Sequence, residues 1–313
     1  MATIIATTRP LPLPEMELAG RQVRFVHAEA GAVPDGAVAL LSTAVDPVDA
    51  ALISTLPDSV GLIANLGVGY DNIDLAAAAA RGLLVSNTPV VTEDTADLAF
   101  ALILAACRRV GQGERFLRAG KWNETGTPPL GTRVHGAKLG IIGFGAIGQA
   151  VARRASGFGM TVLYHNRSRK PVQANALSAR YCKDLAELLA AADIVSIHAP
   201  LTEETRHLID ADALAACKPG AVLVNTARGP LVDEDALIAA LETGHIAAAG
   251  LDVFSEEPSF PEALLAMEQV VLTPHIGSAT AQCRTDMVQR GIANIAQFLE
   301  TGTIRDMVPL GRE

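Results

Sequence analysis

Short apolar runs of strand length alternate with segments of helical spacing along most of this chain. The apolar runs that predict strands lie at residues 4–7, 23–27, 38–42, 62–65, 83–86, 139–142, 161–165, 194–198, 222–225, 247–253 and 270–272. The segments that predict helices between them lie at residues 46–56, 146–159, 184–192, 210–216 and 233–243. Strands that alternate with helices in this way predict parallel, doubly wound sheets, whose ligands bind beyond the carboxyl ends of the strands.

Residues 92–110 predict a helix that is apolar on nearly every side, with acidic residues at its start and two arginines at its end. A helix of this kind must be covered by more than one neighbour, so it suits a link between domains or a dimer interface. Residues 111–135, which include the only tryptophan, are expected to form a long irregular connection. A last helix is predicted over residues 279–299.

Length and charge narrow the class of protein. The length of 313 residues suggests about two domains, and a net charge of −9 argues against nucleic acid or an anionic membrane surface as partner. The amino-terminal sequence has no apolar segment of secretory length, and the longest apolar run, residues 98–107, is too short to cross a bilayer. We therefore expect a cytoplasmic protein.

The four cysteines are far apart and include no C-x-x-C pair, so neither disulfides nor a metal site is expected. We expect buried, reduced thiols. The cysteines are Cys107, Cys182, Cys217 and Cys283.

Residues 139–148, LGIIGFGAIG, combine an apolar strand with glycines in the G-x-G-x-x-G spacing. Gly143 permits the tight turn off the strand, Gly145 lets the backbone approach a pyrophosphate, and Gly148 lets the next helix pack closely. The helix amino terminus then faces the phosphates with free N–H groups. A glycine-rich turn that binds nothing is the alternative, but the flanking strand and helix favour a dinucleotide site.

A second glycine-containing loop, residues 65–74 with sequence NLGVGYDNID, follows a predicted strand. Gly67 and Gly69 free the backbone to turn N–H groups outward, which predicts a nest for a carboxylate or a phosphate. A turn shaped only by packing is the alternative.

Three loops that follow neighbouring predicted strands carry chemically distinctive side chains. Arg228, Glu257 and His275 stand in these loops, on the side of the sheet where a dinucleotide lies. Each residue alone has an ordinary explanation, as a surface charge, a solvated acid or a residue at a helix start. Their occurrence at three successive strand ends favours a shared site.

The segments NLGVGYDNID, GFGAIG, HAPLTEETRHLI, NTARGPLVDEDAL, AGLDVFSEEP and TPHIGSAT resemble the D-isomer-specific 2-hydroxyacid dehydrogenase family over nearly the whole chain. The resemblance implies an NAD(P)-dependent oxidoreductase, a homodimer, in which Arg228, Glu257 and His275 are catalytic. It implies an α/β fold of two domains. A doubly wound Rossmann cofactor domain, residues 96–281, is inserted into a smaller flavodoxin-like substrate domain, residues 1–95 and 282–313.

The resemblance also assigns residues to the two ligands. The expected substrate-binding residues are Leu66, Gly67, Val68 and Gly69. The expected cofactor-binding residues are Gly143, Phe144, Gly145, Ala146, Ile147, Gly148, Asn166, Arg167, Ser168, Arg169, His198, Ala199, Pro200, Thr205, Thr226, Ala227, Asp252 and Gly277. Asp252 is expected to face the nicotinamide carboxamide.

The implied mechanism fits the three catalytic residue types. The guanidinium of Arg228 can bind the carboxylate and the carbonyl of a 2-oxo acid together. After hydride transfer to the carbonyl carbon, His275 supplies the proton to the oxygen. Glu257 is expected to bond the other ring nitrogen, to orient the ring and to favour the imidazolium.

The residues after the second strand of the cofactor domain predict a preference for NADPH, with NADH as the alternative. NAD sites usually have an acidic residue at that strand end to bind the ribose 2′-hydroxyl, and here Asn166 stands in its place. Arg167, Ser168 and Arg169 follow and can bind a 2′-phosphate. A solvated basic loop is the alternative reading of these residues.

Basic residues at this position resemble glyoxylate/hydroxypyruvate reductases and 2-ketogluconate reductases, so we expect reduction of a small 2-oxo acid to the D-2-hydroxy acid. Glyoxylate, hydroxypyruvate and 2-ketogluconate are the expected substrates, and the sequence does not choose between them. Phosphite and D-lactate dehydrogenases of the same family are alternatives, whereas formate dehydrogenases have glutamine where this chain has Glu257. A cofactor-sensing, corepressor-like protein that binds protein partners is the alternative from another class.

Overall fold

The computed structural model describes residues 2–310, and the chain divides into two compact units. Residues 1–91 and 279–313 form the first unit, and residues 92–278 form the second. The predicted substrate-domain segments 1–95 and 282–313 include residues 1 and 311–313, which lie outside the described residues.

The first unit contains a six-stranded sheet in the order β2-β3-β1-β4-β5-β6. Its strands are β1 (Thr3–Thr7), β2 (Met16–Leu18), β3 (Arg21–His27), β4 (Ala37–Thr43), β5 (Leu62–Leu66) and β6 (Leu84–Ser86). Among the strands named here, β2 and β3 form the one antiparallel pair, and the parallel strands follow the 2-1-3-4-5 order of a flavodoxin-like sheet.

The second unit contains a parallel seven-stranded sheet in the order β13-β12-β11-β10-β7-β8-β9. Its strands are β7 (Lys138–Ile142), β8 (Thr161–His165), β9 (Arg180–Tyr181), β10 (Ile194–Ile197), β11 (Ala221–Asn225), β12 (Ile246–Leu251) and β13 (Val270–Leu272). This is the doubly wound order of a Rossmann domain, and the strand order reverses between β7 and β10. The predicted fold class is confirmed.

Helices connect the strands of both sheets. They are α1 (Ala50–Thr55), α2 (Leu75–Ala80), α3 (Thr92–Cys107), α4 (Val110–Arg118), α5 (Lys121–Thr125), α6 (Ala146–Ser156), α7 (Pro171–Ala176), α8 (Leu185–Ala191), α9 (Ala211–Ala216), α10 (Glu234–Glu242), α11 (Ala263–Ala266) and α12 (Ala281–Thr301). Helices lie on both faces of the seven-stranded sheet, so alternate residues of one strand enter different cores. Ile141 packs in a cluster with Ile103 of α3, whereas Ile142 packs in a cluster with Leu189 of α8. Burial on both faces explains why these strands are continuously apolar.

The expectation of an irregular connection over residues 111–135 is wrong, because this segment contains most of α4 and all of α5. No residue of α4 is buried, so packing against a core does not help to form this helix. It also contains Gly111 and Gly113, which have low helical propensity. The short elements β2, α2, α7 and β9 are likewise absent from the prediction.

The chain after α12 returns to the first sheet. Val308 donates its amide to Val85 O at 2.8 Å, and Met307 forms an antiparallel bridge with Ser86 at the end of β6. Residues 307 and 308 therefore lie along the edge strand β6 of the six-stranded sheet.

Candidate active site

The carboxyl edge of the seven-stranded sheet brings the three predicted catalytic residues into neighbouring loops. Arg228 follows β11, Glu257 follows β12, and His275 follows β13. These three strands are adjacent and parallel, so their carboxyl ends lie side by side.

His275 and Glu257 form a direct pair. The Nδ1 atom of His275 lies 2.6 Å from Oε2 of Glu257, and Oε1 of Glu257 accepts from the Phe254 amide at 3.0 Å. Burial alone would raise the pKa of the Glu257 carboxyl, but the bonds from His275 and Phe254 and the positive charges of His275 and Arg228 together lower it. An ionised carboxylate can only accept, so Nδ1 carries a hydrogen and Nε2 is left to exchange a proton with a ligand.

Arg228 is placed by a bonded turn at the end of β11. Asn225 accepts from the Ala227 amide through Oδ1 at 3.0 Å and donates to Arg228 O through Nδ2 at 2.8 Å. The guanidinium donates to Ala227 O at 2.7 Å, and its charge lowers the pKa of Glu257. A Cβ atom on Gly229 would lie 1.9 Å from the carbonyl carbon of Phe254, so only glycine lets the two loops meet here.

Asp252 holds the turn that carries His275. This residue is fully buried, and its Oδ1 accepts from Thr273 Oγ1 at 2.6 Å and from the Ile276 amide at 2.8 Å. Its Oδ2 accepts from the Gly277 amide at 2.8 Å. Burial is the main cause that raises the pKa of Asp252. His275 has a left-handed φ of 52°, which this bonding stabilises. The expected contact of Asp252 and Gly277 with the cofactor stays a prediction.

The glycine-rich loop after β7 has the shape that a dinucleotide site needs. A Cβ atom on Gly143, where φ is 92°, would lie 2.5 Å from Ala199 N, and one on Gly148 would lie 2.2 Å from Gly143 O. A Cβ atom on Gly145 would meet nothing within 4 Å, so space opens at this position. Among the described residues, none accepts a hydrogen bond from the amides of Gly145, Ala146 or Ile147. These donors at the start of α6 suit the phosphates of a dinucleotide.

Phe144 points away from this space. Its ring is fully buried and stacks on Tyr164 with centroids 4.2 Å apart. Asn166 at the end of β8 accepts from the Phe144 amide at 3.1 Å and donates to Ser168 O at 2.8 Å. Arg167, Ser168 and Arg169 are exposed beyond it, with the Arg169 guanidinium 6.0 Å from the centre of the Tyr181 ring.

The loops after β10 and β11 complete this edge. Thr205 Oγ1 donates to Pro200 O at 2.8 Å and fixes the loop after β10. Thr226 Oγ1 is buried and has no hydrogen-bond partner among the described residues. A buried hydroxyl without a hydrogen-bond partner is energetically costly. The position of Thr226 therefore fits a bound group that supplies this partner.

The loop after β5, in the first unit, is held mainly through its carbonyl oxygens. Thr88 exchanges two bonds with Gly67, and Asn87 and Asn65 donate to the carbonyls of Val68 and Gly69 at 2.9 and 2.8 Å. No described residue accepts from the amides of Val68 and Gly69. The predicted nest therefore has two amides available for an anion.

Residues 100–277 match the family model described as D-isomer specific 2-hydroxyacid dehydrogenase, NAD binding domain. The chain belongs to this family. The D-2-hydroxyacid dehydrogenase relatives include a glyoxylate reductase of Thermococcus litoralis, 48% identical over 83% of this chain and 80% of that protein. A second glyoxylate reductase, from Pyrococcus furiosus, is 47% identical over 83% of this chain and 79% of the Pyrococcus protein.

Solved structures agree with this family membership. An NADPH-dependent glyoxylate/hydroxypyruvate reductase of Sinorhizobium meliloti, in complex with NADP and malonate, has a TM-score of 0.89 and 35% identity, with 99% of this chain and 98% of that chain covered. The predicted family, the oxidoreductase class and the binding of a nicotinamide cofactor are confirmed.

Other expectations concern metals, cysteines and membranes. The four cysteines are buried, and none of them forms a disulfide in the part of the chain that the structure describes. Residues 2–310 contain no group of side chains arranged to hold a metal ion. No helix in the same range is long and apolar enough to cross a membrane.

In this dehydrogenase, His198 at the end of β10 makes stability depend on pH. Its Nε2 lies 2.8 Å from Ser196 Oγ, and burial lowers its pKa to about 4. Because this value is below the 6.5 of an unperturbed histidine, the stabilisation is complete above pH 6.5 and is lost as the pH falls toward 4. We expect a loss of about 3 kcal/mol from this group.

Urea unfolding at pH 7 and pH 4 measures this loss. His198→Gln, which preserves a polar atom near Ser196, should lose less stability between the two pH values than the wild type. Equal losses in the two proteins would contradict the assignment.

Proposed function

We propose that this protein reduces a small 2-oxo acid to the D-2-hydroxy acid with NADPH. The observation that carries the proposal is the pairing of His275 with Glu257 at 2.6 Å beside the charge of Arg228, at the edge of a Rossmann sheet. The glyoxylate reductases among the relatives support this substrate class. Glyoxylate and hydroxypyruvate fit it best, with 2-ketogluconate as a larger candidate.

In the proposed reaction, Arg228 binds and polarises the substrate. Its planar guanidinium donates to a carboxylate oxygen and to the adjacent carbonyl oxygen. The family resemblance assigns carboxylate binding also to the loop after Leu66, where the amides of Val68 and Gly69 can donate to an anion. This binding fixes the face of the carbonyl that is attacked.

His275 provides the proton. A nicotinamide cofactor, when bound, would supply the hydride for the carbonyl carbon. Nε2 of His275 donates its proton to the carbonyl oxygen, on which negative charge develops. Glu257 keeps Nδ1 protonated and fixes the ring plane. The turn held by Asp252 keeps the imidazole in place.

The experiment that tests the function is a panel of 2-oxo acids with NADPH and NADH in parallel. Glyoxylate or hydroxypyruvate should consume NADPH, followed as loss of the reduced-nicotinamide absorbance. Tight binding of NADPH without turnover of any 2-oxo acid would overturn the proposal and favour a cofactor-sensing protein.

The preference for NADPH rests on the strand end at Asn166. No carboxylate is present there to repel a 2′-phosphate, and Arg167, Ser168 and Arg169 offer exposed donors. Hydrogen bonds to charged groups contribute about 1.5–3 kcal/mol each. Arg167→Asp is therefore expected to raise the KM for NADPH by roughly 10- to 100-fold and to change the KM for NADH much less.

Arg133→Asp is the matched control, because it makes the same change of charge at an exposed site before β7. It should leave both KM values unchanged. Equal effects of Arg167→Asp on the two cofactors would contradict the assignment of the 2′-phosphate site.

We further propose that the first unit binds the substrate, that the second binds the cofactor, and that the protein is a homodimer. The segment 110–131, which includes α4 and α5, contains no buried residue among those described. It exposes Leu117 and Trp122 by 58% and 59%, and Leu130 by 90%. Exposed apolar surface of this kind indicates an association site, and a second copy fits the family.

Sedimentation equilibrium tests the dimer. The wild type should have twice the chain mass, and the double variant Leu117→Glu, Trp122→Glu should approach the chain mass because two buried charges would oppose association. A monomeric wild type, or an unchanged dimer in the variant, would contradict this site.

A further inference from the structure

The loop that is proposed to hold the substrate carboxylate is connected to the carboxy-terminal segment through Asn87. The side chain of Asn87 donates to Val68 O at 2.9 Å, which is the only polar contact that holds this carbonyl among the described residues. The orientation of the Val68 carbonyl fixes the peptide plane that follows it and hence the direction of the Gly69 amide. Asn87 thus controls one of the two donors of the nest.

Asn87 is itself held by residues more than 200 positions away in sequence. Its backbone N–H donates to Asp306 O at 3.2 Å, and its backbone carbonyl accepts from Asn294 Nδ2 at 3.2 Å. Both backbone groups of Asn87 are therefore bonded to α12 or to the segment that follows it. Neither bond belongs to a regular helix or strand.

Asn294 is the centre of this network. It is 1% exposed, donates to Asp306 Oδ2 at 3.1 Å and accepts from the Asp306 amide at 3.3 Å. The Asp306 carboxylate is bound from the other side by the Arg290 guanidinium in a bidentate pair. Buried polar groups with this many partners are fixed in one arrangement.

The backbone of α12 adds a contact with the start of the same loop. A Cβ atom on Gly291 would lie 2.6 Å from Cδ2 of Leu66, so the helix surface fits closely against this residue. One turn of α12 thus packs on the loop at Gly291 and bonds Asn87 through Asn294.

We propose that Asn87 and Asn294 are positioning residues that fix the carboxylate nest of Val68 and Gly69, with Asp306 holding Asn294 in place. The inference rests on the proposed reduction of a 2-oxo acid. It makes the carboxy-terminal segment part of the substrate site, although none of its residues is assigned a contact with the substrate. Loosening the network should weaken binding of carboxylates without affecting the cofactor.

The test uses the full chain with Asn87→Ala and Asn294→Leu. Asn87 is partly exposed, so its truncation preserves the fold, whereas Asn294→Leu conserves volume and removes all three bonds of a buried amide. For both variants we expect the KM for glyoxylate to rise about tenfold, which corresponds to about 1.4 kcal/mol, with kcat and the KM for NADPH within a factor of about three. The dissociation constant of malonate, measured by calorimetry with NADPH present, should rise in parallel.

Arg81→Ala is the control for a general loss of stability in the same unit. Its guanidinium donates to Ile53 O and Leu56 O at 2.6 and 2.7 Å and has no bond to the network. It should lower Tm without raising the KM for glyoxylate or the dissociation constant of malonate.

Unchanged constants in Asn87→Ala and Asn294→Leu, or an equal rise in Arg81→Ala, would overturn the inference. A wild type that reduces no 2-oxo acid but binds malonate more tightly than both variants do would overturn the proposed function and support the positioning role. The two failures are therefore distinguishable.

Discussion

His275→Ala is expected to lower kcat for reduction of glyoxylate by about 10²- to 10⁴-fold, the usual contribution of a positioned general acid. The loss should fall on kcat, because the proton is transferred only in the transition state. The KM for NADPH should stay close to the wild-type value. Steady-state kinetics at pH 7, together with the dissociation constant of NADPH, measure both quantities.

Three comparisons make the result specific. Added imidazole should restore part of the activity of His275→Ala, because it can supply the missing proton donor. Glu257→Gln should lower kcat less than His275→Ala does, because the glutamine side chain still orients the imidazole ring although the charge is removed. His135→Ala changes an exposed histidine of the same unit and should behave as the wild type. Full activity of His275→Ala would remove His275 from the mechanism.

Strands such as β5, β10 and β11 were predictable because they are buried on both faces and therefore continuously apolar, whereas the short edge strands β2 and β9 were not predicted. Helix ends were less predictable, since they depend on which side chain caps the helix. The expected helix start at Asp46 is wrong by several residues: Asp49 accepts from the Leu52 amide and caps α1, which begins at Ala50. Asp46 binds Thr8 and Arg9 instead, which are distant in sequence.

The meeting of the loops that carry Arg228, Glu257 and His275 could be inferred from sequence, because the carboxyl ends of adjacent parallel strands lie at one edge of the sheet. The hydrogen bonds that hold these loops in place could not be inferred from sequence. The contact of Asp252 with the cofactor stays a prediction, but the sequence did not reveal that its carboxylate accepts three bonds from the loop of His275. The bonding of Asn294 to Asn87 joins residues 207 positions apart, and no local pattern reveals such a pair.

Arg228→Ala is expected to lower kcat/KM for glyoxylate by roughly 10²- to 10⁴-fold, because two hydrogen bonds to charged groups contribute about 3–6 kcal/mol together. Arg228→Lys should recover only a small part of the lost kcat/KM, because an ammonium is a point charge and cannot bind the carboxylate and the carbonyl with one planar group. The loss should appear in both kcat and KM, because the guanidinium binds the carboxylate in the ground state and the carbonyl more strongly in the transition state.

Guanidine at millimolar concentration should restore part of the activity of Arg228→Ala and none of that of His275→Ala, since it replaces only the missing cation. Arg133→Ala, which removes an exposed guanidinium before β7, should retain the wild-type kcat/KM. The charge of Arg228 also helps to keep the pKa of Glu257 low. Removal of Arg228 therefore weakens the ionised state of the carboxylate that pairs with His275. A fully active Arg228→Lys would mean that positive charge alone is needed, and the two-point binding of the 2-oxo acid would have to be abandoned.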